Sequence, residues 1–178
     1  EGQRLEEQAG LDLTVFSLRR WVELANTGNP TALVILWVSD ASIVASSPAG
    51  EELRDGVSRF ASVDAVDGLL GYARSQQRVV QRRLRGSRYP VKPAVHALRL
   101  ASHALELLRS ETVTLPVPEP VLGELRAVRC GRWKPAEVLD RYAEYEAQIA
   151  AARSRTLLPL MGDREWAVQW ARRVSRAG

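Results

Sequence analysis

Two long segments with helical periodicity constrain the fold of this chain more than any other feature of its sequence. They cover residues 64–84 and 91–109. Gly86 and Pro90 lie between them, and these residue types end one helix and allow another to begin. The pattern predicts two long helices joined by a short connection, in a protein that is mainly α.

Shorter elements complete the predicted architecture. Leu11–Phe16 is rich in β-formers and predicts a strand. Ser17 then caps a helix that Gly28 ends, and Pro30 suits the first turn of the next element. Residues 40–52, which are rich in Ser, Ala, Pro and Gly, predict a loop. Further helices are predicted over residues 119–129, 135–153 and 164–176.

The charge of the chain is unevenly distributed. The net charge is +4, yet the stretch from Gly68 to Leu105 contains no Asp or Glu. Its basic residues and histidines are Arg74, Arg78, Arg82, Arg83, Arg85, Arg88, Lys92, His96, Arg99 and His103. A segment of one sign attracts an anion, such as a nucleotide phosphate or a nucleic acid. The alternative is a solvated helix in an arginine-rich chain, since Lys92 and Lys134 are the only lysines.

Four residues of the second long helix share one face. Lys92, His96, Arg99 and His103 lie at i, i+4, i+7 and i+11, within an arc of roughly 60°. The core stripe is expected on the opposite side, which places both histidines outside the core. Such groups repel one another unless an anion lies between them, and a triphosphate would supply it. The alternative is a polar face with adventitious histidines. A zinc site is not expected, because His96 and His103 are two turns apart.

Several classes of protein are excluded or disfavoured. No apolar run approaches the roughly 20 residues that cross a bilayer. The charged N-terminus lacks the apolar core of a signal peptide, so we expect a cytoplasmic protein. The single cysteine, Cys130, excludes a disulfide within the monomer. The sequence has no Walker motif and neither the Gly-x-Gly-x-x-Gly nor the Gly-x-Ser-x-Gly pattern.

An ordered set of short motifs resembles a known family. Residues 12–21, followed by Gly28-Asn29-Pro30, are similar to the strand, helix and Gly-Asn-Pro turn of predicted nucleotidyltransferases in the RNA-repair-associated branch of the DNA polymerase β superfamily. The remaining matches follow in the family's order: Gly71-Tyr72-Ala73 with Gln76-Gln77, Lys92-x-x-x-His96-x-x-Arg99-Leu100, Glu106-Leu107-Leu108, Thr114-Leu115-Pro116 and Arg129-Cys130-Gly131. The resemblance covers nearly the whole chain. It implies that residues 1–16 are the end of an α/β core, with a residual strand of a polymerase-β-like palm, and that residues 17–178 form a helical domain.

The resemblance also implies a chemistry. Such enzymes move a nucleoside monophosphate from an NTP to an acceptor hydroxyl, using magnesium ions held by three carboxylates. Asp12, between Leu11 and Leu13, matches the third carboxylate and is the expected catalytic and metal-binding residue. Lys92, His96, Arg99 and His103 are expected to contact the nucleotide. Asn29 would touch a ribose or cap the following helix.

One departure from the family's pattern affects activity. A Gly-Ser turn and an Asp-x-Asp pair should precede the strand of Asp12, and the eleven preceding residues contain neither. One acid cannot hold two divalent cations in oxygen shells, so we expect this chain alone to be inactive. We favour an N-terminal segment that is missing from this sequence. The alternatives are a second chain that supplies the motifs and a degenerate paralogue.

Two other functions stay open at this point. A non-catalytic basic helical module could bind RNA or DNA through the acid-free segment, with an affinity that falls steeply with salt. An interaction protein could use Trp166 and Trp170 of the last helix to anchor a partner. The same tryptophan pair would more often dock the helix on its own core.

Overall fold

The computed structural model describes the backbone of residues 3–8, 11–83 and 89–177, and the side chains of residues 15–83 and 89–177. This part of the chain forms eight α-helices and one antiparallel pair of strands. The prediction of a mainly α protein is confirmed. The division into two domains at residue 16 stays a prediction.

The strands form a hairpin at the N-terminal end. Strand β1 (Gln3–Gln8) pairs antiparallel with β2 (Leu11–Phe16), and Glu7 lies opposite Asp12. The predicted strand over Leu11–Phe16 is confirmed. Its partner was not predicted, because the sequence Gln-Arg-Leu-Glu-Glu-Gln has one apolar residue and no alternating pattern.

The first helix begins and ends where the sequence predicts, and the next element begins at Pro30 as expected. Helix α1 (Leu18–Asn26) is capped by the Ser17 hydroxyl, which accepts a hydrogen bond from the backbone N–H of Arg20. Gly28 then adopts a positive φ of 71°, a conformation that glycine takes without a steric penalty. Helix α2 (Pro30–Leu33) follows and continues into a 3₁₀ turn, Val34–Trp37.

The predicted loop over residues 40–52 is wrong in its second half. Helix α3 (Pro48–Asp55) begins there, and the Ser47 hydroxyl accepts a hydrogen bond from the backbone N–H of Gly50. Serine at the N-cap and proline in the first turn are a helix start, which the Ser, Pro and Gly content of the segment obscured. Two 3₁₀ turns, Asp40–Ser42 and Val57–Phe60, flank this region.

The long helices build the core of the molecule. Helix α5 (Val91–Ser110) is central and packs against α4 (Val63–Arg82), α6 (Val121–Arg129) and α7 (Pro135–Arg153). The expected core stripe on α5 is confirmed, since all its members are buried: Ala94, Leu98, Ala101, Leu105 and Leu108. Because three helices cover α5, its C-terminal half is buried on nearly every side.

The last helix docks on the protein's own core. Helix α8 (Arg164–Ala177) buries Trp170, whose indole Nε1 donates a 3.3 Å hydrogen bond to the carbonyl oxygen of Ala49. The rings of Trp166 and Phe60 form a T-shaped pair with a centroid distance of 6.2 Å. The tryptophan pair therefore has an intramolecular packing role. None of the helices in the described ranges is long and apolar enough to cross a membrane.

Candidate functional site

Three residues of α5 form a cationic face on successive turns. Lys92 is exposed, and His96 and Arg99 are half-buried. The Nη2 group of Arg99 lies 3.2 Å from Nδ1 of His96. A guanidinium has no acceptor, so Arg99 donates and His96 accepts. This hydrogen bond assigns the proton of the neutral imidazole to Nε2, where it can be donated to a ligand.

The basic face has no counter-charge among the side chains that the structure describes. Within residues 15–83 and 89–177, no carboxylate forms an ion pair with Lys92 or Arg99, and Nε of Arg99 is buried without a hydrogen-bond partner. Burial lowers the pKa of His96, and the positive charges of Arg99 and Lys92 lower it further. Burial also lowers the pKa of Arg99. An anion bound here would relieve the repulsion between these groups.

His103 shares this face of the helix but is buried. The prediction that both histidines lie outside the core is wrong for His103, which is 2% exposed. Burial, with a smaller effect of Arg99, lowers its pKa to about 4, so the ring is neutral at physiological pH. Its Nε2 has no hydrogen-bond partner among the described residues, and the ring lines a cavity of about 330 Å³ together with Arg141 and Tyr145. Periodicity within one helix did not predict this burial, because α6 and α7 pack over this part of α5. A nucleotide contact by His103 stays a prediction.

Asn29 holds the turn between α1 and α2. Its Oδ1 accepts hydrogen bonds from the backbone N–H groups of Thr31 at 3.0 Å and Ala32 at 3.3 Å, which is the capping role considered from the sequence. Its Nδ2 donates to the hydroxyl of Tyr72 at 2.8 Å. Both polar groups of Asn29 are therefore engaged within the protein, and its contact with a ribose stays a prediction.

The same contact joins two of the motifs that carry the family resemblance. Gly28 packs against α4 so closely that a Cβ at this position would lie 2.2 Å from the carbonyl oxygen of Ala65. The Gly71-Tyr72-Ala73 motif does not by itself indicate a partner for the Tyr72 hydroxyl. No local signal could have done so, since 43 residues separate Tyr72 from Asn29.

The predicted metal ligand lies on the hairpin. The backbone of Asp12 belongs to β2, opposite Glu7, and its side chain lies outside the described residues. Among the residues that the structure does describe, no group of three His, Cys, Asp or Glu side chains is placed to hold a metal ion. Two magnesium ions need several oxygen ligands each. The described residues therefore do not fit the magnesium centre that the resemblance implies.

The geometry defines a helical domain with a basic face on α5 that forms no ion pair with the carboxylates whose side chains are described. The model of the RNA repair pathway DNA polymerase beta family matches residues 2–148, which include the hairpin and the whole of α5. The chain belongs to this family. No curated protein and no solved structure matches the chain.

Proposed function

We propose that this chain forms the triphosphate-binding part of a nucleotidyltransferase, which moves a nucleoside monophosphate from an NTP to an acceptor hydroxyl in RNA repair. One observation carries the proposal. In a member of a polymerase-β family, Lys92, His96 and Arg99 face one direction and have no carboxylate partner among the described side chains. Phosphoryl transfer depends mainly on positioning and on stabilising negative charge, and such a face supplies both.

Each of the three residues has a distinct role in this proposal. Lys92 is an exposed point charge that neutralises the terminal phosphates. Arg99 offers a planar guanidinium, already oriented by its bond to His96, that can hold two phosphate oxygens at once. His96 donates its Nε2 proton to a phosphate oxygen. Together they would stabilise the pyrophosphate as it leaves.

Asp12 is proposed as one of the carboxylates that the family's chemistry requires. The described residues do not form a metal centre, so the role proposed for the basic face depends on anion binding alone. The Asp12→Asn variant separates the two roles. In a protein that also supplies the family's other two carboxylates, we expect the substitution to abolish nucleotide transfer while leaving the binding of ATP in EDTA unchanged. Full transfer activity in this variant would contradict the role of Asp12.

Calorimetric titration of ATP in the presence of EDTA tests the basic face without metal. We expect Lys92→Ala and Arg99→Gln each to weaken binding by about tenfold, the effect of losing one charge-assisted phosphate contact. Lys134→Ala is the matched control, because Lys134 is exposed and its hydrogen bond to Glu137 comes from the backbone N–H. Equal affinities for wild type and all three variants would contradict the proposal.

A non-catalytic module that binds RNA or DNA is the second candidate. It is favoured by the exposed arginines of α4, which are Arg74, Arg78 and Arg82. Under this alternative, nucleic acid would bind with a steep salt dependence and ATP would not bind at all. The ATP titration therefore distinguishes the two functions, and a salt slope near zero for nucleic acid rejects the second.

A further inference from the structure

A row of three arginines runs along the exposed side of α4. Arg74, Arg78 and Arg82 are four residues apart and all are exposed. Four residues of α-helix rise about 6 Å, which is comparable with the separation of consecutive phosphates along a nucleic-acid strand. A groove of about 420 Å³ follows the end of the row and is lined by Ser75, Arg78, Gln81 and Arg82.

The backbone of α4 holds two of these guanidinium groups in place. Nε of Arg78 donates to the carbonyl oxygen of Arg74, and Nε of Arg82 donates to the carbonyl oxygen of Arg78, each at 3.3 Å. These bonds leave both Nη groups of Arg78 and Arg82 without a partner among the described residues. Arg74 differs, because it forms an ion pair with Glu146 of α7 at 3.3 Å. Arg78 and Arg82 therefore carry the uncompensated charge of the row.

A merely solvated helix would not be expected to place its charges in this way. Like charges at i and i+4 destabilise a helix, and exposed helices usually offset them with acids at the same spacing. No acid occurs between Gly68 and Leu105, so α4 offers Arg78 and Arg82 no such offset. A polyanion lying along the row would supply the missing counter-charges.

We propose that Arg78 and Arg82 bind consecutive phosphates of an RNA strand, and that this strand is the acceptor of the transferred nucleotide. The identity of the strand as the acceptor rests on the proposed function. Gln81 lines the same groove, and its amide has no partner among the described residues. An amide offers both a donor and an acceptor to a ribose 2′-hydroxyl, the group that distinguishes RNA from DNA.

Fluorescence anisotropy with a short, labelled single-stranded RNA tests the arginine row. We expect the double variant R78Q/R82Q to bind about tenfold or more weakly, and its slope of log affinity against log salt to fall by about 1.4, for two lost phosphate contacts. R172Q/R176Q is the matched control. Arg172 and Arg176 are also exposed, lie four residues apart on one helix and line a groove, and their loss changes the charge equally. We expect the control to change the affinity less than about twofold.

The outcomes separate this inference from the proposed function. Equal weakening by both double variants, or none by R78Q/R82Q, would overturn the assignment of the row. DNA of the same sequence binding as tightly as RNA would overturn the role given to Gln81 and the 2′-hydroxyl. Circular dichroism and thermal melting verify that each variant is folded. ATP titration in EDTA is expected to be unchanged in R78Q/R82Q, whereas an absence of ATP binding by the wild type would contradict the proposed function and not the arginine row.

Discussion

The side-chain amide of Asn29 and the hydroxyl of Tyr72 are joined by a 2.8 Å hydrogen bond between the cap of α2 and the middle of α4. This bond, with the close approach of Gly28 to Ala65, fixes the turn after α1 against the long helix. These contacts between the turn and α4 therefore contribute to the stability of the fold. Their contribution can be measured as a change in the free energy of unfolding, without an activity assay.

Removing the Tyr72 hydroxyl is expected to weaken the contact between the turn and α4. Tyr72→Phe should lower the free energy of unfolding by about 0.5–1 kcal/mol, since the bond is neutral and Tyr72 is partly exposed. Asn29→Ala should cost about 1–2 kcal/mol, because it also removes the cap of α2. Urea denaturation of both single variants and the double variant gives the coupling energy, expected at about 0.5–1 kcal/mol. A loss in the double variant equal to the sum of the two single losses would contradict the pairing.

Two glycines of α4 are expected to respond oppositely to the same substitution. A Cβ at Gly68 would lie 2.1 Å from the carbonyl oxygen of Thr27, so Gly68→Ala must push the turn away from α4. We expect a loss of about 1–3 kcal/mol in the free energy of unfolding. Gly71 is exposed and has nothing within 4 Å of the same position. Gly71→Ala should therefore stabilise the protein by about 0.5–1 kcal/mol. Denaturation curves that rank the two variants in the reverse order would contradict this packing.

The buried His103 predicts how stability depends on pH. Its pKa falls from 6.5 in the unfolded chain to about 4 in the fold, so folding favours the neutral ring. Stability is therefore full above pH 6.5 and is lost as the pH falls towards 4, by about 3 kcal/mol from this residue. His103→Leu should remove that loss. At pH 7 the substitution should be neutral or slightly stabilising, since Nε2 has no hydrogen bond to lose within the part of the chain that the structure describes.

Chemical denaturation between pH 4 and 7.5 measures the contribution of His103. Asp67, whose pKa is lowered chiefly by its hydrogen bond with Arg153, also makes the fold less stable as the pH falls. This loss is the same in the wild type and in His103→Leu, so it cancels when their free energies of unfolding are subtracted. Plots of the free energy of unfolding against pH for the wild type and His103→Leu should run parallel above pH 6.5 and diverge below it. Parallel curves over the whole range would show that the pKa of His103 is the same in the folded and unfolded chain.

His96 predicts a pH dependence of triphosphate binding. Burial and the charges of Arg99 and Lys92 lower its pKa in the free protein, whereas an adjacent phosphate would raise it. Binding should therefore take up a proton at Nδ1 of His96, which releases the Arg99 guanidinium from this nitrogen to the phosphate, and the affinity should rise as the pH falls. Calorimetry of tripolyphosphate binding in buffers of different ionisation enthalpy measures this uptake. In His96→Gln only the ligand's own titration should remain. An identical pH dependence in wild type and variant would exclude His96 from the site.

Elements that depend on local signals could be predicted from the sequence. The boundaries of α7 agree with prediction because Pro135 starts the helix, and α1 agrees because Ser17 caps it and Gly28 ends the turn that follows. Helix α3 was missed because a Ser-Pro helix start and a Ser-Pro loop have the same composition. Strand β1 was missed because its polar residues show no alternation.

The candidate site was only partly predictable for a different reason. The spacing of Lys92, His96 and Arg99 within one helix is a local property, and the structure places them on one face. Whether a residue of that face is exposed depends on which helices cover α5, which is a property of the tertiary fold. The burial of His103 is such a property. The Asn29–Tyr72 bond is another, because it joins residues that are 43 positions apart in the sequence.

Nuclear magnetic resonance of the two imidazole rings tests the triphosphate role of α5 most directly, because the chain has only two histidines. Spectra of His96→Gln assign the signals. On titration with tripolyphosphate in EDTA, the signals of His96 should shift and its pKa should rise, and the response of the buried His103 ring tests its predicted contact with the nucleotide. Unchanged His96 signals at saturating tripolyphosphate would contradict the role given to this face.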